Sequence, residues 1–349
     1  MNACDEFQQL LRGPEPVLAL APMQDVTDLP FMKLISGYGN ADVYFTEYFR
    51  VLPQSRLDPA ILKSITHNPT GRPIVAQMIG NDVAALVRTA RELQQHPVAA
   101  IDLNLGCPVP IVYKKCAGGG LLRDPERVGQ ILGALRAAIE IPFTVKTRIG
   151  FEDAAAFDEL LTVFARHDLD LLTVHARTVK EMYRSAPRYE FVQRAVAAVS
   201  CPVLANGNVY SAGKADEVLT LTGAAGLMIG RGVIRNPWLF RQIREQRRGV
   251  EVFRPRGRDV LDYVRALFEA VTARGLRESA QIANMKKYMN FIGLAVEPTG
   301  EFLHRIRRVT TEAEFFRTCT DFLDHDEPMP LEPFALPLKE RDVMAGATR

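Results

Sequence analysis

The stretch AAIDLNLGCP (99–108) begins as a short apolar run and ends in a sharp turn, and a second apolar run, PFTVKTR, follows at 142–148. Both runs have the length and composition of strands that are buried on both faces. Between them, DPERVGQILGALRAAIE (124–140) carries apolar residues at helical spacing and begins with an aspartate that can cap a helix. A strand, a helix and a second strand in this order indicate a parallel sheet.

The same alternation extends in both directions from this unit and fills the first 240 residues. Eight strands, each followed by a helix-compatible segment, predict an α/β fold in the form of a (β/α)8 TIM barrel. The pattern alone leaves a doubly wound open sheet as the alternative. The predicted strands are VLALA (17–21), DVYFTEY (42–48), PIVAQM (73–78), AAIDLNL (99–105), PFTVKTR (142–148), DLLTVHA (170–176), PVLANG (202–207) and AGLMIG (225–230).

The pattern changes after Trp238, where strand-like runs stop and helical spacing continues alone. Helices are predicted in LDYVRALFEAVTARG (261–275), SAQIANMKKYMNFIGLA (279–295) and the region 297–323. We therefore expect a catalytic barrel over residues 1–240 and a small all-α domain over 241–325. Residues 326–349 hold four prolines and little periodicity, which predicts a disordered tail.

Composition and charge narrow the class of protein. No apolar run approaches the roughly 18 residues of a membrane span, and the first residues lack the apolar core of a secretory signal. Five scattered cysteines without CxxC spacing argue against a disulfide framework or a metal site, and they favour the cytoplasm. We expect neither a membrane nor a protein partner.

The basic charge lies in the predicted helical domain. Residues 241–325 hold 16 Lys and Arg against 12 Asp and Glu, whereas residues 1–240 hold 24 of each. A basic excess confined to one segment indicates a polyanionic partner such as a nucleic acid.

Polar residues collect where the predicted strands end. In a TIM barrel, the active site lies at the carboxyl ends of the strands. The glycine-rich segments NGN (206–208) and GRG (230–232) lie at the ends of the last two predicted strands. In such barrels, the loops after these two strands form the recurrent phosphate site. Other polar side chains at strand ends are Gln77, Asn104, Lys146, His175 and Arg231.

Cys107 lies in the turn Gly106-Cys107-Pro108, directly after a strand. A glycine and a proline on either side hold the thiol at a strand end. A thiol near its ordinary pKa of about 8.5 is mostly protonated at neutral pH and can act as an acid. The turn leaves two interpretations of Cys107 open, a small hydrophobic residue or a reactive group presented at the strand end.

The motifs, taken in order, resemble the tRNA-dihydrouridine synthase family. The resemblance continues more loosely into the C-terminal helices around MKKYMNF (285–291), and so covers the chain to about residue 325. It implies a flavoprotein oxidoreductase that uses FMN, with NADPH or NADH as electron donor, to reduce the C5–C6 double bond of uridines in tRNA. The motifs are APMQDVTD (21–28), TEYFRV (46–51), QMIGND (77–82), DLNLGCP (102–108), KKCAGGGLLRDP (114–125), VKTRIG (145–150), VHART (174–178), ANGNV (205–209) and MIGRG (228–232).

The resemblance assigns roles by position. Cys107 is implied to be the catalytic acid, and Lys146 to stabilise the negative charge of the reduced flavin. The residues implied to bind the cofactor are Pro22, Met23, Gln24, Gln77, Lys146, His175, Asn206, Gly207, Asn208, Gly230 and Arg231. The residues expected to bind the substrate are Asn104, Arg148, Arg177, Tyr183, Arg184, Lys286 and Lys287, with Arg305, Arg307 and Arg308 as further candidates for contacts to the RNA backbone.

The chain departs from the commonest family pattern at a few positions. Ala176 replaces a usual glycine, Asn208 replaces a more frequent acidic residue, and Gln24 and Asp25 replace smaller residues. These changes affect details of the flavin and base contacts rather than the choice of cofactor. Cys116 lies in a glycine-rich loop that we expect to cover the site, and it is assigned no chemistry.

Three alternatives to this function stay open. A flavin barrel acting on a small molecule, such as a dihydroorotate or enoate reductase, would share the FMN site but would not need the basic helical domain. A non-catalytic RNA-binding barrel is disfavoured by Cys107 and Lys146. A phosphate-sugar isomerase barrel without flavin is permitted by the glycine-rich strand ends alone.

Overall fold

The computed structural model describes residues 2–272 and 275–334. The chain divides into two compact units, each built from separate stretches of sequence. The first unit contains the residues up to Met32, Ala41–Asn208 and Asp216–Gly230. The second contains Lys33–Asn40, Val209–Ala215 and the chain from Arg231 onward.

The first unit is a closed parallel barrel, which confirms the predicted (β/α)8 fold. Eight strands close because β2 pairs with both β1 and β4, and β9 returns to pair with β1. The short β3 pairs in parallel with the carboxyl end of β4. The strands are β1 Val17–Leu20, β2 Val43–Phe45, β3 Phe49–Arg50, β4 Ile74–Ile79, β5 Ala100–Leu105, β6 Phe143–Arg148, β7 Leu171–His175, β8 Val203–Asn206 and β9 Gly226–Ile229.

Helices alternate with these strands as the apolar spacing predicts. The Asp82 side chain accepts a hydrogen bond from Ala85 N, and Asp124 caps the next long helix in the same way at Arg127 N. The helices from the N-terminus onward are α1 Ala3–Arg12, α2 Leu29–Tyr38, α3 Pro59–Thr66, α4 Val83–Leu93, α5 Pro110–Tyr113, α6 Pro125–Ala138, α7 Phe157–Ala165, α8 Glu190–Ala198 and α9 Ala212–Thr222, with a 3₁₀ helix at Gly118–Arg123.

The N-terminal end of the barrel is filled by apolar side chains. Phe7 of α1 is fully buried among residues near the starts of the strands, including Val17, Val43 and Leu171. Burying one such phenylalanine side chain contributes about 1.5–3 kcal/mol. Because this end is packed with hydrocarbon, the buried polar side chains are concentrated toward the carboxyl ends of the strands.

The second unit is helical in its C-terminal part, and all three predicted helical regions form helices there. Its core includes Tyr263, Met285, Phe302 and Phe315, each fully buried. Thr311 and Glu314 form a reciprocal capping box at the start of the last helix. The helices are α10 Arg231–Arg235, α11 Leu239–Arg247, α12 Gly257–Val271, α13 Glu278–Ile292, α14 Glu301–Ile306 and α15 Glu312–Leu323, with a 3₁₀ helix at Gly293–Ala295.

The predicted tail begins at residue 326, and its first part makes defined contacts. Met329 N donates to Pro255 O, and Phe334 N donates to Leu294 O. Residues 335–349 lie outside the described part of the chain. In the residues that the structure describes, no helix is both long and apolar enough to cross a membrane.

Candidate active site

The barrel brings polar side chains together at the carboxyl ends of its central strands. The strand register places Asn104 beside Lys146, and His175 beside Asn206. Lys146 Nζ donates to Asn206 Oδ1 at 3.1 Å, and Asn104 Nδ2 donates to Gln77 Oε1 at 2.8 Å. One hydrogen bond therefore joins a side chain of β4 to one of β5, and a second joins a side chain of β6 to one of β8.

Cys107 lies in a turn that is held on both sides. The backbone N–H groups of Gly106 and Cys107 both donate to Asn104 Oδ1, each at 2.9 Å. The thiol packs against Ile79 and Val112, and the residue is 9% exposed. Burial raises the pKa of the Cys107 thiol, although nearby positive charges oppose the shift. The group is therefore a protonated thiol at neutral pH.

A glycine-rich loop lies against this turn. Gly119 N donates to Cys107 O at 3.2 Å. A Cβ at Gly119 would lie 2.9 Å from Cys107 O and 2.5 Å from Val179 Cγ2, and one at Gly120 would lie 2.5 Å from Tyr113 O. Only glycine permits this close approach of backbone to backbone. The neighbouring Cys116 is exposed, with φ of +52°.

Lys146 is a partly buried ammonium group whose pKa is lower than that of an ordinary lysine. Burial and the positive charge of Arg148 together lower its pKa to about 8, while the negative charge of Asp102 opposes the shift. Lys146 stays mostly charged at neutral pH but loses its proton in mild alkali.

Asp102 is a buried acid that the sequence analysis did not single out as functional. It lies in the middle of β5, is fully buried, and accepts hydrogen bonds from Gln77 Nε2 at 2.8 Å and from Thr144 Oγ1 at 2.5 Å. Burial raises its pKa to about 6, against the lowering effect of these two donors and of Lys146. In the sequence, Asp102 is an isolated acid within an apolar strand. Burying such a carboxylate costs free energy unless it is hydrogen-bonded, and this was the signal that could have pointed to it.

Arg148 and Arg177 lie inside the loop framework around the site. Arg148 is 2% exposed and donates to the carbonyl oxygens of Gly106 at 2.9 Å, Thr178 at 2.8 Å and Met182 at 2.7 Å. Arg177 is fully buried and donates to Ser185 O at 2.7 Å. Both guanidinium groups thus tie backbone segments together.

His175 connects this framework to the more exposed rim. Its Nε2 lies 3.2 Å from Arg177 NH1, and its ring centroid lies 5.9 Å from that of Tyr183. Tyr183 is 37% exposed, and its ring lies 5.2 Å from the Arg148 guanidinium carbon. Arg184 is exposed beside it, and its NH2 lies 3.8 Å from Met182 Sδ.

The loop after β1 carries Pro22, Met23 and Gln24 and closes on itself. Met23 N donates to Thr27 Oγ1 at 2.8 Å, and Met23 O accepts from Thr27 N at 2.9 Å. A Cβ at Gly230 would lie 2.9 Å from Met23 Sδ, so glycine allows the β9 end to approach this loop. Pro22 and Met23 are half-buried, whereas Gln24 is exposed.

The chain turns sharply at the end of β8. Gly207 has φ of +130° and Asn208 has φ of +46°, so two successive residues lie in the region of positive φ. Asn206 is held between Lys146 and Met228 O, to which its Nδ2 donates at 2.7 Å. Arg231 follows Gly230 directly and begins α10.

The predicted RNA-contacting lysines, Lys286 and Lys287, lie on α13 in the second unit, and Lys287 is exposed. In the same unit, Arg305 pairs with Asp321 at 2.6 Å, and Arg307 Nε donates to Asn290 Oδ1 at 2.9 Å. Arg308 NH1 donates to His304 O at 2.7 Å.

Comparison with known proteins gives consistent results. A family model described as dihydrouridine synthase matches residues 19–325. The tRNA-dihydrouridine(16) synthase of Neisseria meningitidis serogroup A is 30% identical over 317 residues, which cover 88% of this chain and 95% of that protein.

Two further relatives align over shorter stretches. The tRNA-dihydrouridine synthase B of Pasteurella multocida is 35% identical over 224 residues, covering 64% of this chain and 67% of the relative. The tRNA-dihydrouridine(16) synthase of Cupriavidus necator is 34% identical over 236 residues, covering 65% and 73%. The family match runs from within β1 to beyond the end of α15, and the chain belongs to the dihydrouridine synthase family, flavin-dependent oxidoreductases that reduce uridine in tRNA.

Proposed function

We propose that this enzyme reduces the C5–C6 double bond of uridine in tRNA, with FMN as its bound flavin and NADPH or NADH as electron donor. The observation that carries the proposal is a protonated, partly shielded thiol, Cys107, in the same strand-end site as the charged Lys146. A reduction of a carbon–carbon double bond needs a hydride and a proton, and this site offers a donor for the proton. We place the enzyme in the cytoplasm, in keeping with its five free cysteines.

The residues present fit an FMN group. The backbone at Gly207 and Asn208 and the approach allowed at Gly230 would form a cradle for the phosphate, with Arg231 as a cation next to it in the chain. Pro22, Met23 and Gln24 would line the ring system, with Gln77, His175 and Asn206 as polar contacts, and Lys146 would stabilise negative charge on the reduced ring. Reduced FMN would supply the hydride.

Cys107 would donate its proton to the uracil carbon next to the one that receives the hydride. The S–H bond breaks, a C–H bond forms, and a thiolate remains at Cys107. Lys146 and Arg148 both favour this thiolate because their positive charges lower the pKa of the thiol. The Cys107 thiol therefore stays protonated before the reaction, and the nearby positive charges stabilise its thiolate afterwards.

The substrate must reach this site as an unstacked base, since the reacting carbons of a stacked uracil are covered. Asn104, Arg177, Tyr183 and Arg184 are candidate contacts to the uracil and its flanking nucleotides; Tyr183 and Arg184 are the more exposed of these. Arg148, with three bonds to backbone carbonyls, would act mainly by holding these loops in place. Lys286 and Lys287 would attract the RNA backbone.

We further propose position 16 of tRNA as the target uridine. Of the two relatives described above whose names carry the number 16, that of Neisseria meningitidis aligns with 88% of this chain and that of Cupriavidus necator with 65%, while the synthase B of Pasteurella multocida aligns with 64%. The additional aligned length favours a shared tRNA docking mode, because the region beyond the barrel carries the basic excess.

The experiment that tests the function is dihydrouridine mapping by mass spectrometry. The purified flavin-loaded enzyme is given NADPH and tRNA from a strain without dihydrouridine synthases. A gain of two mass units at uridine 16 is expected, and Cys107→Ala should bind the same tRNA without producing that gain. A yellow protein that oxidises NADPH but leaves every tRNA unchanged would favour a small-molecule flavin reductase instead.

A further inference from the structure

A chain of hydrogen bonds connects the buried carboxylate of Asp102 to the Cys107 turn. Gln77 Nε2 donates to Asp102 Oδ2, and Asn104 Nδ2 donates to Gln77 Oε1, both at 2.8 Å. Asn104 Oδ1 then accepts from the backbone N–H groups of Gly106 and Cys107, each at 2.9 Å. We call Gln77 and Asn104 the amide relay.

The two ends of the amide relay require the same orientation of both amides. An ionised carboxylate only accepts hydrogen bonds, so Gln77 must turn its NH2 group toward Asp102. The N–H groups of the Cys107 turn only donate, so Asn104 must turn its oxygen toward them. If either amide reversed, two donors or two acceptors would face each other in a buried site, which costs free energy.

We propose that Asp102 is a positioning residue for Cys107: its carboxylate fixes the direction of the amide relay, and the amide relay holds the turn that presents the thiol. The inference rests on the proposed role of Cys107 as the proton donor. Asp102 itself need not touch the substrate or the flavin.

The surroundings of Asp102 suit this role. Thr144 Oγ1 donates to its second oxygen, so both carboxylate oxygens are bonded. The charged group that faces Asp102 is Lys146 on the neighbouring strand β6, while β4 presents the neutral Gln77. A buried carboxylate with its oxygens satisfied has one stable arrangement, which is what a fixed anchor requires.

Asp102→Asn is the decisive variant because it keeps the shape of the side chain. An asparagine can offer either an oxygen or an NH2 group to Gln77, so the direction of the amide relay is imposed only from the Cys107 turn and no longer from both ends. Gln77→Met breaks the relay at the next link and serves as a second variant. Asp170→Asn is the matched control, since Asp170 is likewise a carboxylate that accepts a hydrogen bond from β6, that of Phe143 N at 2.8 Å, but lies at the opposite end of that strand.

The first readout is the alkylation of Cys107 by iodoacetamide in the flavin-free protein, followed by peptide mass spectrometry with the exposed Cys116 as internal reference. The limiting rate at high pH is compared, so that a change in thiol pKa does not contribute. Asp102→Asn and Gln77→Met should each raise this rate about tenfold, and the double variant should raise it no further. Asp170→Asn should leave it within about twofold.

The second readout is single-turnover reduction of uridine by the pre-reduced enzyme. Asp102→Asn should slow this step about 10- to 100-fold while the KM for tRNA and the rate of flavin reduction by NADPH stay unchanged. Unchanged alkylation of Cys107 in Asp102→Asn would overturn the proposal, and so would faster alkylation with normal turnover. A wild-type enzyme that reduces no uridine would refute the proposed function, while the alkylation result would still decide the role of Asp102.

Discussion

Glu47, in the loop that follows β2, provides a test of how the loop after β1 is held. Its carboxylate accepts a hydrogen bond from Val26 N at 3.2 Å, in the loop that continues from Pro22 and Met23. Burial, together with the negative charges of Asp28 and Asp25, raises the pKa of Glu47 from 4.5 to about 7. Substitution of Glu47 by glutamine removes the charge and keeps an oxygen that can accept from Val26 N.

The sign of the effect of Glu47 on stability follows from the linkage between proton binding and folding. Because the pKa is higher in the folded protein than in the unfolded chain, Glu47 contributes stability that is fully present below pH 4.5 and is lost as the pH rises through about 7. A shift of 2.5 units, from 4.5 to 7, corresponds to at most about 3.4 kcal/mol. Since Glu47 is only half-buried and partly screened by water, we expect about 1–2 kcal/mol.

The assay is urea unfolding of the flavin-free barrel at pH 4.5 and pH 8, for the wild type and Glu47→Gln. The variant should match the wild type at pH 4.5 and be more stable by about 1–2 kcal/mol at pH 8. Glu181→Gln is the control of opposite sign, because bonds from Thr178 N and Arg188 outweigh burial and lower the Glu181 pKa. A stability difference for Glu47→Gln that is absent, or equal at both pH values, would refute the reasoning.

Three further predictions concern the site, its loop and the RNA. The rate of uridine reduction should fall as the pH rises through about 8, the pKa of Lys146, and a pH–rate profile of Lys146→Arg should lack that fall because arginine stays charged. Gly120→Ala should destabilise the flavin-free protein by about 1–3 kcal/mol in urea unfolding, because the new Cβ would meet Tyr113 O, whereas Gly37→Ala, with nothing within 4 Å, should not. Joint replacement of Lys286 and Lys287 by alanine should raise the tRNA KM, flatten its salt dependence and leave kcat unchanged; an unaltered salt slope would contradict their proposed contact with RNA.

The barrel could be predicted from the sequence because strand period and helix period are local properties. Each of the eight predicted strands forms, and the helix cap at Asp124 occurs where the pattern predicts it. The polar residues at strand ends could also be predicted, since parallel strands bring their carboxyl ends to one rim. The roles assigned to those residues remain predictions.

The contacts of Arg148 could not be predicted in this way. Its guanidinium group reaches carbonyl oxygens of Gly106 and Met182, which lie 42 and 34 positions away in the sequence. The resemblance implied that Arg148 contacts the substrate, and arginine is rarely fully buried, so its place among backbone carbonyls was not expected. The same applies to Asp102, whose donors come from strands on either side of β5 and depend on the barrel register.

The charges at the strand ends explain why a buried acid is tolerated beside the proposed proton donor. Between the pKa of Asp102, about 6, and that of Lys146, about 8, the Lys146 ammonium, the Arg148 guanidinium and the Asp102 carboxylate together carry one net positive charge. When Cys107 gives up its proton, the thiolate brings this sum to zero. Asp102 is one of the groups that raise the pKa of Lys146, against the lowering effects of burial and Arg148. Asp102 therefore favours the charged form of Lys146, in addition to any effect that it has through the amide relay.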